Sequence, residues 1–447
     1  MTEFRALLHD VSEEQLREWI VERRWFGSKA AEMSHFGVLD VVVIRPEDPP
    51  LALALVEARF HSGTHDLYQL LMTARDGVPV YDALEDPAHG GVLVRLMCES
   101  TVVDGDEGTV RFHWTGECAC PDPGATVRPL GAEQSNTSII VGDELIVKSI
   151  RRLEPGENPE LEMLRFLSRH GFEHIAPLAG WYEFSGPRIE ATLGVAQAFI
   201  AGGRDGWELA LEDPEGFLER VHDLGAVTGR MHSVLASDSL DAAFAPEEPT
   251  DEALGLLTAM IDEEIERTFL DIPHDDERVA SIAGRGEEIR DRLQMLSHQS
   301  VGGRLIRHHG DYHLGQTLVD GDRWVILDFE GEPARTLPER RRKRSPLRDV
   351  AGMLRSFAYA ASAMELLHGR TAPENWEETA RARFLEGYST RIEPSLLPAG
   401  QAAFDKLLSI FELEKAVYEL RYELNNRPEW LPIPVAGILR LLDAELD

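Results

Sequence analysis

Apolar and polar positions in the first ninety residues follow one helical pattern and then several strand-like ones. Leu16 and Ile20 fall on one face of a helix predicted over residues 12–24, for which Ser12 is a suitable N-cap. Apolar runs bounded by Pro-rich or Gly-containing turns then predict strands over residues 38–44, 51–60 and 67–71. Together these elements predict a small mixed unit of about ninety residues.

The pattern changes twice along the rest of the chain. Residues 91–199 are strand-rich, with one helix for which Asn158 and Pro159 form the N-cap and first helical position and which ends near Gly171. From Trp207 onward the apolar spacing is helical, and long helices are predicted over residues 215–235, 250–268, 285–298, 346–366, 374–389 and 400–425. Strands first and helices later predict an α+β fold with two lobes and a ligand in the cleft between them.

The segment 308–333, HHGDYHLGQTLVDGDRWVILDFEGEP, carries the most informative set of candidate catalytic groups. Asp311 lies in a short HGD turn, Gln316 follows five residues later, and Asp328 ends an apolar run that predicts a buried strand. Phosphoryl transfer requires positioning and charge neutralisation more than covalent chemistry. The segment therefore predicts an ATP-dependent kinase in which Asp311 accepts the proton of an acceptor hydroxyl.

Oxygen ligands suited to Mg²⁺ lie in the same segment. Because Mg²⁺ prefers hard oxygen donors, the carboxylate of Asp328 and the amide oxygen of Gln316 are predicted metal ligands, and Glu330 is the candidate for a second ion. Taken singly, Asp311 and Asp328 are also typical of ordinary turn and strand-end acids. Their occurrence together with Gln316 and nearby histidines favours a functional site.

A nucleotide-binding group is predicted upstream, in EQSNTSIIVGDELIVK at residues 133–148. Lys148 lies on an alternating strand and is the candidate for the cation that contacts the phosphates. Without the downstream segment it would be interpreted as a strand lysine facing solvent. The polar turn between the strands offers hydroxyl and amide contacts from Ser135, Asn136, Thr137 and Ser138.

Two further features complete the predicted nucleotide site. The helix after Lys148 supplies Glu160 and Glu162, and spacing does not decide which of them orients the lysine. Either is also typical of a first-turn acid favoured by the helix dipole. Gln197 and Phe199, just before a glycine pair, form a candidate hinge that offers backbone groups to adenine, with a plain interdomain turn as the alternative.

Composition limits the possible partners. The chain has 447 residues, which predicts two or three structural units, and its formal charge of −34 argues against nucleic acid or an anionic membrane as partner. The basic cluster 340–344 is interpreted as a solvated loop beside the site, with a phosphate contact as the alternative. Cys98, Cys118 and Cys120 are a poor zinc set and are predicted to be reduced thiols. No signal-peptide pattern and no apolar run of membrane-spanning length is found, so a cytoplasmic location is expected.

Taken together, these segments resemble the bacterial maltokinases, relatives of the aminoglycoside phosphotransferases within the eukaryotic-like kinase fold. Besides HHGDYHLGQ and DFEGEP, the resemblance is carried by RRWFGSK, EQSNTS, NPELE, DGWELA, SPLRDVAGMLRSFAYAA and EKAVYELRYELNNRPEWLPIP, over nearly the whole chain. It implies a bilobal, protein-kinase-like α+β fold. Its parts would be an N-terminal α/β cap subdomain over residues 1–88, an N-lobe nucleotide-binding subdomain over residues 89–200 and a mostly helical C-lobe over residues 201–447.

The resemblance also implies an activity. Maltokinases transfer phosphate from ATP, with Mg²⁺, to the anomeric hydroxyl of maltose, which gives maltose 1-phosphate for α-glucan (glycogen) synthesis from trehalose. A complex with trehalose synthase is an expectation at the level of the family. The resemblance assigns the base to Asp311, the Mg²⁺ ligands to Gln316 and Asp328, the nucleotide lysine to Lys148 and its partner to Glu162.

The C-terminal block offers candidate contacts to the sugar. Lys415 and Glu419 lie one helical turn apart and therefore share a face. Tyr418, Tyr422 and Trp430 are candidate aromatic platforms for the apolar side of a sugar ring. A simple surface ion pair is the alternative for Lys415 and Glu419, and the resemblance favours the sugar contact.

Two residues near the catalytic segment have other expected roles. His313 either contacts the acceptor hydroxyl or packs within the catalytic loop, and the sequence does not separate these alternatives. Asp349 resembles the structural acid that braces the catalytic loop in this family.

Two other functions compete with the maltokinase hypothesis. A glucosamine kinase, or another sugar kinase of the same plan, would be expected to present extra acid to a cationic amino sugar. A catalytically silent, kinase-like binding module would ordinarily lack the base, the lysine or the metal acid, whereas Asp311, Lys148 and Asp328 are all present.

Overall fold

The structure is a computed structural model in which two compact units can be distinguished. It describes residues 4, 7–8, 11–23, 25–27, 31–76, 78–131, 136–273, 276–297, 303–332 and 335–443. One unit comprises Met1–Ser168 and Ala176–Gly202, and the other comprises Arg169–Ile175 and Gly203–Asp447. Within the described residues, no helix combines the length and the apolar character that crossing a bilayer requires.

The first unit begins with a helix and an antiparallel sheet. Its elements are α1 (Glu13–Val21), β1 (Met33–Arg45), β2 (Leu51–Phe60), β3 (His65–Arg75) and β4 (Val78–Val80). The strands pair in the order β1-β2-β3, with β4 on β3. Ser12 accepts a hydrogen bond from the N–H of Gln15, and Leu16 and Ile20 are buried, so the predicted capped helix is confirmed.

A second, larger antiparallel sheet follows in the same unit. Its strands are β5 (Val102–Asp104), β6 (Thr109–Trp114), β7 (Val127–Pro129), β8 (Asn136–Val141), β9 (Leu145–Ile150), β11 (Leu178–Ser185) and β12 (Glu190–Ala198). They lie in the order β5-β6-β11-β12-β9-β8-β7, and the short β10 (Arg152–Leu153) pairs with β3 of the first sheet. The helices of this part are α2 (Pro87–Cys98) and α3 (Pro159–Arg169), with a 3₁₀ turn at Ala83–Glu85.

The two sheets of the first unit share one hydrophobic core. Leu53 and Leu71 of the first sheet belong to the same buried cluster as Val147 and Leu193 of the second. Polar contacts cross this core as well, because the fully buried amide of Gln69 donates to the carbonyl oxygens of Ile150 and Leu193. Folding the first sheet therefore completes the core under the second.

A buried ion pair joins the same two parts. Arg151, whose side chain is 0% exposed, places Nη2 2.5 Å from Asp82 Oδ2. The guanidinium also donates to the hydroxyl of Thr137 from Nε at 2.8 Å. Because a buried charge is tolerated only when it is paired and hydrogen-bonded, this pair holds the start of β8 against the segment that directly follows β4.

The second unit is mainly helical. Its helices are α4 (Gly206–Glu212), α5 (Pro214–Leu235), α6 (Asp251–Leu270), α7 (Gly286–Ser297), α8 (Leu337–Arg340), α9 (Leu347–His368), α10 (Trp376–Ser389), α11 (Gln401–Asn426) and α12 (Pro432–Asp443). Its strands β13 (Arg204–Asp205), β14 (Thr317–Asp320) and β15 (Arg323–Ile326) form a small sheet, and 3₁₀ turns occur at Leu314–Gln316, Pro394–Leu396 and Pro428–Trp430. The long helices predicted from apolar spacing are confirmed, with ends that differ by a few residues.

Two segments differ from the prediction. The strand-rich interval predicted from residue 91 instead opens within α2, where Val92, Leu93 and Met97 are buried. Adjacent glycines and β-branched residues lower the helix propensity there, but burial against the sheet outweighs it. The polar turn predicted at residues 135–138 is also different, because β8 already begins at Asn136.

The cysteine prediction is wrong for one pair. Cys98 at the end of α2 forms a disulfide with Cys120, with Cα atoms 6.0 Å apart. The two residues are 22 positions apart and meet only because the helix packs against the sheet. Cys118 is a free thiol, and burial together with Glu117 raises its pKa.

Candidate active site

A buried acid on α9 holds the backbone of the HGD turn. Asp349 accepts hydrogen bonds from the N–H of His309 at 2.7 Å and from the N–H of Gly310 at 2.9 Å. Its Oδ2 also lies 3.0 Å from His232 Nε2, which donates to the carboxylate while Nδ1 faces the hydroxyl of Tyr388. The turn that presents Asp311 is therefore fixed from behind by one carboxylate, which is the bracing position that the resemblance gave to Asp349.

The ionisation of this bracing acid depends on its hydrogen bonds. Burial alone would raise the pKa of Asp349, but His308 and the hydrogen bond from His232 outweigh it and hold the pKa below its ordinary value. Burial lowers the pKa of His308 itself to about 3, so that ring is neutral near pH 7. The contribution that persists near neutral pH is thus hydrogen bonding to the charged carboxylate.

Helix α9 also approaches the catalytic loop closely enough to require a glycine. A Cβ at Gly352 would lie 2.6 Å from the carbonyl oxygen of Tyr312, which is closer than such atoms come. The hydroxyl of Tyr312 meets that of Thr228 at 2.8 Å in the buried interior. Backbone contact and side-chain bonding therefore both seat the residue next to Asp311.

Asp311 itself faces a lysine that contacts a second acid. Lys415 Nζ lies 3.6 Å from Asp311 Oδ1 and 3.6 Å from Glu332 Oε1. The Asp311 side chain is 26% exposed, so it is accessible while being close to a cation. Burial would lower the pKa of Lys415, but Asp311 and Glu332 outweigh burial and raise it, which keeps the lysine charged.

His313 remains within the loop, near the candidate base. Its Nδ1 accepts from the N–H of Gly315 at 3.1 Å, and its Nε2 lies 4.0 Å from Asp311 Oδ2. Desolvation of the ring lowers its pKa, in part opposed by Asp311. The backbone bond supports the loop-packing alternative, and the half-exposed ring still borders the space beside Asp311.

The predicted metal ligands lie where β15 ends. Gln316 donates from Nε2 to Asp328 Oδ2 at 3.2 Å, and carboxylate oxygens of Asp328 and Glu330 lie within 4.8 Å of each other. Asp328 adopts a left-handed backbone conformation with φ 57°, which is costly for a residue other than glycine and is typical of functional sites. The donor set consists of oxygens, with Gln316 Oε1 remaining for an ion, so these residues fit Mg²⁺.

In the first unit, Lys148 pairs with the first acid of α3. Lys148 Nζ lies 3.1 Å from Glu160 Oε2, and the Glu160 side chain is 3% exposed. Asn158 caps the helix by accepting from the N–H of Glu160 at 2.8 Å, which orients this first turn toward the strand. The contact is therefore made by Glu160, whereas the resemblance had favoured Glu162.

Several of the side chains predicted to contact the nucleotide are hydrogen-bonded to other residues of the first unit. The hydroxyl of Thr137 accepts from Arg151, and the side-chain oxygen of Asn136 accepts from the Arg151 N–H at 3.3 Å. Ser138 lies in β8 opposite Lys148, and Ser135 lies outside the described residues. In this conformation the Thr137 hydroxyl is a hydrogen-bond acceptor for the buried Arg151.

The residues of the predicted hinge also form hydrogen bonds within the first unit. The N–H of Phe199 donates to the carbonyl of Glu144 at 2.7 Å, and the N–H of Ala198 donates to that of Pro177 at 2.8 Å. The side chain of Gln197 donates to the carbonyl of Ala176 at 3.3 Å. These donors are occupied inside the first unit, which limits the predicted backbone contact with adenine.

A cavity of about 300 Å³ opens in the second unit beside the catalytic loop. Of the six predicted sugar contacts, Lys415 and Tyr418 line it, and Tyr418 lies under the lysine with 4.9 Å from Nζ to the ring centroid. Gly310 and Tyr312 also line it, so the cavity reaches the residues on both sides of Asp311. Cationic, acidic and aromatic groups in one concave surface suit a polar acceptor.

The other C-terminal candidates lie elsewhere in the second unit. Glu419 accepts from Arg355 at 2.7 and 2.9 Å, and Trp430 is 8% exposed and stacks on Tyr359. Tyr422 is exposed, with Arg427 over its ring. None of Glu419, Tyr422 and Trp430 is among the residues lining the cavity, and Glu419 instead faces Arg355 of α9.

Replacing Glu419 by glutamine is therefore expected to reduce stability rather than sugar affinity. Arg355 is 1% exposed and would lose its charged partner, which should lower the free energy of unfolding by about 2 kcal/mol. Urea denaturation measures this loss, and the exposed Glu378→Gln on α10 serves as the matched control. A raised KM for the acceptor at unchanged stability would instead favour direct contact with the sugar.

Sequence reasoning missed much of the cavity wall. Glu332, Arg335, Arg348 and Glu414 line it, as do Arg340 and Arg344 of the basic cluster. Arg344 pairs its backbone with Ile306 and is largely buried, so the solvated-loop interpretation is wrong for this residue. The available signal was the spacing of these charges around DFEGEP and SPLRD in an otherwise acidic chain.

The two units and the braced loop define the class of protein: an α+β phosphotransferase with the protein-kinase-like fold. The chain belongs to the phosphotransferase enzyme family, whose model matches residues 126–385. The model of the maltokinase N-terminal cap domain matches residues 19–104. The predicted fold and the predicted cofactors, ATP and Mg²⁺, are thereby confirmed at the level of the family.

Known relatives agree with this family. The chain is 27% identical to a glucosamine kinase of Streptacidiphilus jiangxiensis over 71% of this chain and 74% of the relative. It is 26% identical to a glucosamine kinase of Mycolicibacterium smegmatis over 71% of this chain and 79% of that protein. A solved glucosamine kinase in complex with glucosamine, ADP and inorganic phosphate has a TM-score of 0.73 at 20% identity and covers 98% of each chain, which shows the shared fold.

Proposed function

We propose that this phosphotransferase phosphorylates a sugar hydroxyl with ATP, and that the sugar is maltose, phosphorylated at the anomeric oxygen to maltose 1-phosphate. The match of residues 19–104 to the maltokinase N-terminal cap domain is the observation that carries this choice of acceptor. The product would serve α-glucan synthesis from trehalose, and a complex with trehalose synthase stays a prediction.

Each step of the proposed transfer has a candidate group in this chain. The acceptor oxygen forms a bond to the γ-phosphorus while the bond to the ADP oxygen breaks, and the acceptor proton passes to Asp311. Lys415, 3.6 Å from Asp311, holds this acid in position and is proposed to contact the sugar from the cavity wall. Lys148, held by Glu160, is the proposed phosphate contact.

Three residues with oxygen donors are proposed to hold a magnesium ion. When bound, Mg²⁺ supplies charge neutralisation to the phosphoryl group. Gln316, Asp328 and Glu330 are proposed to hold it through oxygen atoms. The hydrogen bond from Gln316 to Asp328 and the left-handed backbone of Asp328 support this proposal.

The charges on the cavity wall favour a neutral acceptor over an amino sugar. Glu332 is bonded to Arg335 at 2.7 Å and contacts Lys415, and Glu414 accepts from Arg348 at 2.5 Å. A cationic ammonium group would have to compete with these cations for each carboxylate. Maltose, which carries no charge, needs only the hydrogen-bonding capacity that these pairs leave.

Glucosamine is the second candidate acceptor, because the glucosamine kinases above align with most of this chain. A catalytically silent module is the third. One assay separates them: ADP release with Mg-ATP against maltose, glucose, glucosamine and trehalose, with the phosphate position of the product assigned by NMR. Dominant turnover of maltose at the anomeric oxygen supports the proposal, dominant turnover of glucosamine replaces it, and turnover of neither sugar contradicts both.

A further inference from the structure

The cavity beside the catalytic loop has a charge opposite to that of the chain. The whole chain carries 79 acidic and 45 basic residues. Among the residues that line the cavity, seven are arginine or lysine and five are aspartate or glutamate. A local excess of cations in a protein of charge −34 is compatible with a neutral sugar beside Asp311 and leaves part of the wall suited to a negatively charged group.

Arg344 is a cation of this wall with an unused hydrogen-bond donor. Its Nη2 is buried and has no hydrogen-bond partner among the described residues. Burial, reinforced by Arg348 and Arg335, lowers the pKa of Arg344 to about 10, with Glu414 opposing the shift. A guanidinium in this position stays charged at neutral pH, and no acid among the described residues is hydrogen-bonded to its Nη2.

A second donor lies close by. Arg348 donates a hydrogen bond from Nη2 to Glu414 at 2.5 Å. Its Nη1 is buried and has no hydrogen-bond partner within the part of the chain that the structure describes. The other wall cations that lie near Asp311 are engaged, since Arg335 is bonded to Glu332 and Lys415 contacts both acids. The unused donors of Arg344 and Arg348 are those that an oxyanion would take.

We propose that this cavity is a phosphate-binding subsite, in which Arg344 and Arg348 hold a phosphate oxyanion through their unpaired guanidinium N–H groups. Two arginines suit phosphate because their planar donor sets match its oxygens. The inference goes beyond the proposed function, since binding of a phosphate needs neither nucleotide nor turnover. Two sources share this chemistry: inorganic phosphate, and the phosphate group of a sugar phosphate such as the product.

Isothermal titration calorimetry with inorganic phosphate at constant ionic strength tests the subsite in the full chain without nucleotide. We expect saturable binding to the unmodified protein, about tenfold weaker binding to Arg344→Gln through loss of a charge-assisted bond, and unchanged binding to Arg342→Gln. Arg342 is the matched control because it lies two positions away, is exposed and is not part of the cavity wall. Absence of saturable binding, or equal affinity in all three proteins, would overturn the proposal.

Thermal denaturation separates ligand binding from a structural role. Without phosphate, Arg344→Gln is expected to melt no lower than the unmodified protein, because the substitution removes a cation whose buried Nη2 has no hydrogen-bond partner among the described residues. Phosphate should raise the melting temperature of the unmodified protein more than that of the variant. A variant that melts far lower in buffer alone would show that Arg344 acts as a structural residue, and the proposal would fail.

Competition identifies the source of the phosphate. Glucose 1-phosphate and maltose 1-phosphate are titrated in the same way, and each is then tested for displacement of inorganic phosphate. Binding of a sugar phosphate that weakens in Arg344→Gln assigns the subsite to the reaction product. Binding of inorganic phosphate alone, with the same dependence on Arg344, assigns it to the free anion. This readout is independent of the sugar assay, so either proposal can fail without the other.

Discussion

Replacing Asp311 by asparagine is expected to lower kcat by about a thousandfold while ATP binding and stability stay unchanged. Asparagine has nearly the same shape but cannot accept the proton of the acceptor hydroxyl. The turn itself should persist, because Asp349 holds it through the N–H groups of His309 and Gly310 and does not use the Asp311 side chain. Steady-state kinetics with the preferred sugar gives kcat, and calorimetric titration with ATP gives the affinity.

The matched control for this variant is Asp322→Asn. Asp322 lies in the turn between β14 and β15, and its fully exposed side chain has a surface contact to Arg220. Asp322→Asn makes the same chemical change as Asp311→Asn at a position outside the site, so the turnover of this control should equal that of the unmodified protein. If Asp311→Asn retained full turnover, the assignment of the base would be wrong even though the family is established.

Replacing Asp349 by alanine is expected to lower both the stability of the protein and its turnover. The substitution leaves the buried N–H groups of His309 and Gly310 and the ring of His232 without their shared acceptor. We expect the free energy of unfolding to fall by about 3–5 kcal/mol, and turnover to fall because Asp311 loses its support. Urea denaturation followed by circular dichroism measures the first, and kinetics below the transition measures the second.

Asp349→Asn is the informative comparison, because an amide keeps one oxygen acceptor. Its loss of stability should lie between those of the unmodified protein and the alanine variant. Equal urea midpoints for all three proteins would show that the carboxylate does not hold the loop.

The same acid predicts a pH dependence. The folded-state pKa of Asp349 is lowered, so its contribution to stability is complete above the unfolded value of about 4 and is lost as pH falls through the lower folded value. His308, whose pKa is lowered to about 3, acts in the same direction, since the unfolded chain binds its proton first. The unmodified protein should therefore lose stability below about pH 6.5, and Asp349→Ala should lose less of it below pH 4.

Local signals made much of this fold predictable. The helix predicted over residues 215–235 is α5, Pro214–Leu235, because its apolar stripe, its N-terminal proline and its Asp213 cap all agree. The HGD segment was predictable for a similar reason. Asp311, Gln316 and Asp328 lie within one short stretch, and the pairing of β14 with β15 inside it brings Gln316 to Asp328.

Long-range packing set the limits of prediction. The choice between Glu160 and Glu162 depends on how α3 is rotated against β9, and spacing along the chain does not contain that rotation. The cavity wall joins residues of α6, α9 and α11 with the segment after β15, which are far apart in sequence. Glu419 shows the same limit, since its one-turn spacing from Lys415 did not reveal Arg355 as its partner.

The core shared by the two sheets of the first unit bears on how such kinases can be recombined. Leu53 and Leu71 pack in one cluster with Val147 and Leu193, and Gln69 bonds across it. A gene fragment that starts after the first sheet would encode a second sheet with its apolar face open to water and prone to aggregate. Grafting the leading residues onto another kinase would likewise need a host sheet with complementary side chains. The first 200 positions are therefore expected to be inherited together. In an engineered exchange between kinases they should be transferred as one piece.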